Sequence, residues 1–424
     1  MAKRMERVAR GVTAGELALG LLLSLLVACG SESLEQLEEE ASDCPEGPPI
    51  QLGGAPSSAV LLNAYYLQDE AARELRGGQT ESRVVEEVLS KAAAMGVWGL
   101  RTNGFNDAPE KRGVSTIQVA PGQYDEDSLR GLDLVLARAS HHGVKLVLPL
   151  GNYWDAYGGA RQYVAWAGLP APRQGDPRFF TERAVIEHYK RYITFLLSRT
   201  NTFDGIRYGE HPAVLGWELL NEPRGVGLDR GGEAMRAWVD EIASVVKAQA
   251  PGHLVGTGEE GFDTSVEGYD AAFWSRVPPA SLFEASSSFR GNTASPHIDF
   301  GSVHFYPEHW GIPTVHTARS GASWISDHAA LARELGKPLF LGEFGLRNQG
   351  DFSLEERRAI YRGWLLCAWR VGVGGIAPWM FAPDDRPDAW DDFTFYFRDG
   401  TRPEDARNRY ADLLIEAAGR SGRR

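Results

Sequence analysis

From Ala59 onward, short apolar runs alternate with stretches of helical periodicity eight times, with no low-complexity break and no short-period repeat. Strands joined by crossover helices pair in parallel, so this alternation predicts a parallel sheet. Eight such units predict closure into an α/β fold of the (β/α)8 TIM barrel type.

The expected strands are Ala59 to Ala64, Val97 to Thr102, Lys145 to Leu150, Val214 to Leu220, Leu254 to Thr257, Phe300 to His304, Leu339 to Gly342 and Gly375 to Met380. Helices are expected at Glu81 to Met95, Ser128 to His142, Thr181 to Thr200, Gly232 to Ala250, Ala322 to Leu335, Leu354 to Val371 and Arg402 to Ala418. Between the fifth and sixth strands only a short irregular connection around Tyr269 to Trp274 is indicated. The segments Gly151 to Phe180 and Phe381 to Gly400 are long strand-to-helix loops, which place insertions on the face where such barrels carry their active sites.

Three parts divide the 424 residues. Lys3, Arg4, Arg7 and Arg10 precede an apolar run from Leu17 to Val27 that is too short to span a bilayer, so residues 1–29 read as an export signal. Its end, Leu26-Val27-Ala28-Cys29, resembles a bacterial lipobox and implies lipidation of Cys29, hence a bacterial cell-surface or outer-membrane lipoprotein; a soluble secretory signal cut nearby is the alternative. Residues 30–57 combine a run of Glu with Pro and Gly, and are expected to form a flexible acidic linker. Residues 58–424 are the barrel domain. Apart from Cys29 only Cys44 and Cys367 remain, and the apolar surroundings of Cys367 favour a buried free thiol over a bridge.

The net charge of -13 argues against nucleic acid or an anionic membrane as partner, because both need clustered Lys and Arg. A neutral polymer fits better. Twelve Trp and fourteen Tyr supply flat apolar rings of the kind that stack on pyranose faces, although many of them belong to the core.

The fourth strand ends in Trp217-Glu218-Leu219-Leu220-Asn221-Glu222-Pro223 and the seventh in Leu341-Gly342-Glu343-Phe344-Gly345, so each delivers an acid to the mouth of the barrel. Cleaving a glycosidic bond requires such a pair: one carboxylic acid to protonate the leaving oxygen and one carboxylate across the anomeric carbon. The ten His are scattered without an H-E-x-x-H pattern and the Cys are too few for zinc, so no metal is expected. No phosphate loop or G-x-S-x-G elbow is present, and no cofactor is expected.

Further landmarks are Arg101 to Asp107, Asn152-Tyr153-Trp154-Asp155, Gly158 to Tyr163, Trp217 to Arg224, Gly258 to Phe262, Val303 to Trp310 and Gly342 to Gly345. On these, the segment from Leu61 to about Leu414 resembles glycoside hydrolase family 5, in the retaining clan with acids on strands four and seven, and especially its endo-β-1,4-mannanase subfamily. The resemblance implies a secreted, monomeric endo-β-1,4-mannosidase that cuts internal links of mannan, glucomannan or galactomannan by double displacement. It implies Glu222 as acid/base and Glu343 as nucleophile, Asn221 as partner of the substrate 2-hydroxyl, and His304 and Tyr306 as active-site groups of strand six. Arg101 resembles the strand-two Arg that bonds the nucleophile, and Trp379 the strand-eight floor under the sugar. A cation and a phenol beside Glu343 should hold it ionised, while Glu222 keeps its proton at rest.

Glu259 and Glu260 are expected to be structural or substrate-adjacent. One departure stands out: many mannanases of the subfamily carry an aromatic residue two positions after the strand-two Arg, where this chain has Asn103. A stacking platform is then missing or replaced by Trp154 or Tyr153. The competing readings are an exo-β-mannosidase or endo-β-1,4-glucanase of the same family, or a glycan-binding lipoprotein without catalysis.

Overall fold

The computed structural model describes residues 34–107, 115–229, 232–264, 286–386, 391–397 and 410–421. Its eight parallel strands are β1 (Ala59–Asn63), β2 (Gly99–Arg101), β3 (Lys145–Pro149), β4 (Val214–Glu218), β5 (Leu254–Gly256), β6 (Gly301–Phe305), β7 (Leu339–Phe344) and β8 (Gly375–Ile376). Pairing runs in the order β5-β4-β3-β2-β1-β8-β7-β6. A parallel bridge between Gly256 and Phe300 joins the two ends. Each expected strand falls on an observed one, so the (β/α)8 barrel is the fold.

Two periodicities build it. Along β1, Ala59 and Leu61 belong to a small cluster with Val147, Phe300 and Phe340 inside the barrel, whereas Val60 and Leu62 join the large core between sheet and helices. That alternation is the period-two pleat of a strand buried on both faces. The surrounding helices are α1 (Arg83–Ala94), α2 (Glu126–His142), α3 (Arg183–Ser198), α4 (Glu233–Gln249), α5 (Phe289–Thr293), α6 (Thr314–Glu334), α7 (Leu354–Val371) and α8 (Ala411–Ser421). The bounds of α7 agree with its sequence signals: Ser353 and Glu356 form a capping box at the start, and Gly372 closes the end with φ 74.

Several expectations change. α6 begins eight residues before Ala322, at Thr314, because Pro313 fits the position just outside a first turn. The helix expected from Arg402 is observed only as Ala411–Ser421, and its earlier part lies outside the described residues, as does the connection at Tyr269 to Trp274. The helix Gly159–Trp166 sits in a segment expected to be a loop, and the helix Leu67–Arg76 and a small hairpin of Gln118–Ala120 with Gln123–Tyr124 lie where no element was expected.

The linker expectation also fails. Residues 34–42 are helical and dock on α7, where Gly363 leaves room for the Ala41 side chain: a Cβ at 363 would stand 2.4 Å from it. Arg370 donates to the Ser42 carbonyl at 2.7 Å. Leu52 and Ala55 fill the base of the barrel beneath Ala59 and Leu61. The Glu run disguised a strap in which Ala41, Leu52 and Ala55 are buried. Cys44 and Cys367 form a disulfide with their Cα atoms 5.3 Å apart, which corrects the expected free thiol. The export-signal segment with Cys29 lies outside the described residues.

Candidate active site

Strict alternation along β7 would send Glu343 to the same side as Leu339 and Leu341, into the helix layer. The register prevents this: Val303 pairs with Leu341 but His304 pairs with Glu343, so β7 carries one extra residue, Gly342. Such a shift turns the next side chain to the opposite face. A Cβ on Gly342 would stand 3.2 Å from the His304 ring, so the extra position suits glycine. β4 uses the same device. Leu146 pairs with Val214 and Val147 with Gly216, which leaves Trp217 in the outer core and Glu218 inside.

Glu222 follows β4 with φ 52, a left-handed conformation that costs about 1–3 kcal/mol for a residue with a side chain. It is held there by its N–H donating to the Gly258 carbonyl at 2.8 Å, and by the bridge between Asn152 and Asn221 next to it. Gly258 must itself be glycine, since it has φ +76 and a Cβ would meet the Leu220 carbonyl at 2.2 Å.

Arg101, at the end of β2, ties the acids together. Its Nε donates to Glu218 at 2.7 Å, one terminal nitrogen to Glu343 at 2.5 Å and the other to the Asn221 oxygen at 2.7 Å. The Tyr306 hydroxyl donates to the second oxygen of Glu343 at 2.6 Å. His304 Nδ1 lies 2.8 Å from Glu222 and 3.7 Å from Glu343. The Trp154 indole N–H donates to Glu222 at 2.5 Å. Because Asn221 gives its oxygen to Arg101 and an amide hydrogen to Asn152 at 3.1 Å, its orientation is fixed. Trp379 lies face to face on Tyr65, with centroids 5.2 Å apart and planes 2° from parallel, and its indole N–H reaches Asp391 at 3.3 Å.

Arg101 is 3% exposed, Glu343 4%, and Glu218 and His304 0%. Breaking a charge pair at such depth costs about 3–5 kcal/mol, so each partner holds the others in place. Burial opposes the charge of Arg101, but the Glu218 and Glu343 carboxylates outweigh it and the guanidinium is held more firmly charged than usual. Burial pushes Glu343 above the usual carboxylate range, against the pull of His304, Arg101 and Tyr306, with the charge of Glu222 adding to the rise. Burial also acts on Glu222, but the His304 hydrogen bond and charge, Arg224 and the Trp154 indole overcome it and bring it to about 2. The His304 imidazole is raised: burial opposes its charge, and the two glutamates more than compensate.

This reverses part of the sequence expectation. The lowered Glu222 carboxyl and the raised His304 imidazole favour the proton between them on the His304 side of their hydrogen bond. Glu222, His304 and Glu343 also bring one metal-ligating atom each to within 4.8 Å of one another. The Arg101 cation already bonded to Glu343 makes that trio a poor cation site.

The cleft has a volume of about 620 Å³, an ordinary size for a ligand site. Eight of the sequence-expected site residues line it: Arg101, Asn103, Trp154, Asn221, Glu222, Tyr306, Glu343 and Trp379. His304 stands behind Glu222. Tyr153 is buried outside the cleft, against Gly175, so it supplies no stacking platform. Glu260 lines the cleft in a two-pronged pair with Arg224 at 2.5 and 2.6 Å, and Arg224 in turn covers the Trp154 ring at 5.0 Å. Glu259 is buried off the cleft, accepting from Ser287 and Asn292. Tyr65, Tyr157, Phe105 and Asp391 were not anticipated as cleft residues. Only their aromatic or acidic character pointed that way.

A barrel whose fourth and seventh strands deliver two carboxyl groups to an aromatic-lined cleft defines a glycoside hydrolase. The sequence model of a family described as GH family 5 beta-mannosidase-like matches residues 54–363, and the chain belongs to glycoside hydrolase family 5. It is 35% identical over 323 residues to mannan endo-1,4-beta-mannosidase 1 of Oryza sativa subsp. japonica, spanning 74% of this chain and 71% of that one. Mannan endo-1,4-beta-mannosidase 5 of Arabidopsis thaliana is 35% identical over 309 residues, covering 71% and 68%. The endo-beta-1,4-mannanase structure from Thermotoga petrophila superposes with a TM-score of 0.74 at 30% identity, covering 88% of this chain and 78% of that chain. These curated relatives are plant enzymes, so the expected bacterial cell-surface or outer-membrane lipoprotein is not supported.

Proposed function

We propose that the enzyme hydrolyses internal β-1,4-mannosidic bonds of mannan by retaining double displacement, with Glu343 as nucleophile and Glu222 as acid/base. The observation that carries the mechanism is proximity: oxygens of the two carboxyl groups lie within 4.8 Å of each other. Retaining enzymes hold their carboxyl groups about 5–5.5 Å apart, whereas inverting ones leave roughly 6.5–9.5 Å for a water.

In the first step a Glu343 oxygen bonds to the anomeric carbon as the bond to the leaving oxygen breaks, and that oxygen takes the proton shared by Glu222 and His304. In the second step Glu222 withdraws a proton from water, which displaces Glu343 and restores the free carboxylate. Tyr306, kept protonated because burial pushes its phenol well above the usual range, remains a donor to Glu343 throughout. Asn221, its oxygen committed to Arg101, turns an amide hydrogen toward the cleft for the sugar 2-hydroxyl. Trp379 offers the face not covered by Tyr65 as a floor.

Mannan is supported as substrate by the names of the relatives and by a net charge suited to a neutral polymer. The disulfide suits an oxidising compartment and supports secretion. The test is product analysis on mannan and carboxymethyl cellulose, with the anomeric configuration followed by NMR from the first turnover. A series of mannooligosaccharides released with retained configuration is expected. Mannose alone, digestion of the cellulose only, or inverted products would refute the reading.

A further inference from the structure

Glu218 has no part in the reaction above and does not line the cleft, yet it is a fully buried carboxylate at the end of β4. A lone carboxylate in such a place is unfavourable, and packing alone would be served by an apolar residue. Both of its oxygens are engaged: Oε2 accepts from Arg101 Nε at 2.7 Å and Oε1 from the Ser302 hydroxyl at 3.0 Å. Arg101 thus faces two buried carboxylates, Glu218 on one edge and Glu343 on another, with the Asn221 oxygen between and the Asn63 oxygen at 3.5 Å.

We propose that Glu218 is a positioning residue that acts through Arg101, fixing the guanidinium plane and dividing its charge so that Glu343 stays basic enough to attack the sugar. The inference rests on Glu343 being the nucleophile. A carboxylate that alone received the full charge of a guanidinium 2.5 Å away would be held well down, and a strongly stabilised anion is a weak nucleophile. Sharing Arg101 with Glu218 relieves that stabilisation while keeping the N–H bond that aims Glu343. The other groups around Glu343 are accounted for. Glu222 follows β4, His304 lies on β6 and Tyr306 just after it, and Asp391 lies beyond Trp379 after β8. Among the described residues, Glu218 and Glu343 are the two carboxylates bonded to Arg101.

The test compares Glu218→Gln and Glu218→Asp through the pH dependence of kcat/KM on mannohexaose. Glutamine keeps the shape and removes the charge, so Arg101 turns wholly to Glu343. The acid limb should move to lower pH by about one unit, with kcat reduced and KM unchanged. Aspartate keeps the charge but draws Arg101 inward and away from Glu343, so the acid limb should move to higher pH. Opposite displacements separate this role from plain support of the fold, which would shift neither limb. Acid limbs that stay at the wild-type position, or that move together, overturn the proposal. If the glutamine variant does not fold, the aspartate variant decides alone: an upward shift at unchanged KM sustains the proposal and an unmoved limb overturns it. Turnover retained by Glu343→Ala would instead defeat the nucleophile assignment, an outcome separate from the position of any limb.

Discussion

His304 Nδ1 stands 2.8 Å from the Glu222 carboxylate, on the side of Glu222 away from the cleft, so one proton lies between the two side chains. The pH dependence follows from this pair and from Glu343. Glu343 must be ionised to attack, so activity is lost as pH falls through its pKa; burial raises that pKa, which puts the acid limb of kcat/KM above the ordinary glutamate value of about 4.3. The shared proton must be present for the leaving oxygen, so activity is lost again as pH rises through the His304 pKa. Burial works against the charged imidazole, but Glu343 and Glu222 raise it, and the alkaline limb should lie above about 6.5. A kcat/KM profile flat from neutrality down to pH ~4, or one that collapses below neutrality on the alkaline side, contradicts this assignment.

Removal of either acid should abolish turnover of mannan, but the two losses differ in kind. In Glu343→Ala, azide can enter the vacated space and attack the anomeric carbon directly, giving an inverted glycosyl azide. In Glu222→Ala, a substrate with a good leaving group no longer needs the proton, and azide intercepts the covalent intermediate with net retention. Product configuration by NMR is the check. The opposite pair of outcomes would mean that the two roles are exchanged.

How far these sites were legible depends on whether their signals are local. Glu222 and Glu343 follow apolar runs, and position at a strand end is a local property. The inward turn of Glu343 is not: it depends on a one-residue shift against β6, which appears only when the strands pair. Glu218 offered a usable sign, a carboxylate inside the apolar run Val214-Leu215-Gly216-Trp217, which needs a buried partner. Tyr65 and Asp391 enter the cleft because Trp379 brings them together from opposite ends of the chain. The Cys44–Cys367 pairing, across 323 residues, likewise had no local sign.

That disulfide leads to a prediction about stability. Cys44 and Cys367 both lie against the Ala322 carbonyl, where the N-terminal strap crosses α6 and α7, away from the residues that line the cleft. A cross-link that closes so long a loop contributes about 2–4 kcal/mol. The double variant Cys44→Ser with Cys367→Ser should therefore melt several degrees earlier and keep its kcat and KM on mannohexaose. Thermal melts with and without reductant provide the measurement. Unaltered melting would show that the strap is held by Ala41, Leu52 and the Arg370 bond alone, and a changed kcat would show that it reaches the cleft.

Asn103 lines the cleft beside Tyr65 and Phe105, half-buried, with its backbone N–H turned to the Tyr65 carbonyl at 3.4 Å. It lines the cleft on the side where further sugars of a polymer would lie, and neither Trp154 nor Tyr153 supplies the stacking platform expected in its place. Trp154 is occupied by Glu222 and Arg224, and Tyr153 is buried elsewhere. An indole at position 103 should therefore add a stacking surface without disturbing the reacting ring. Stacking remote from the bond being broken favours ground state and transition state alike, so Asn103→Trp should lower KM for mannotetraose and mannohexaose and leave kcat little changed. The gain should be on the order of 1 kcal/mol, several-fold in KM, as for other aromatic contacts. A clash with Tyr157, which packs edge-on against Tyr65 and Phe105, would instead lower the melting temperature and the activity together. A fully stable variant with the wild-type KM for both oligosaccharides would mean that no bound mannose reaches position 103.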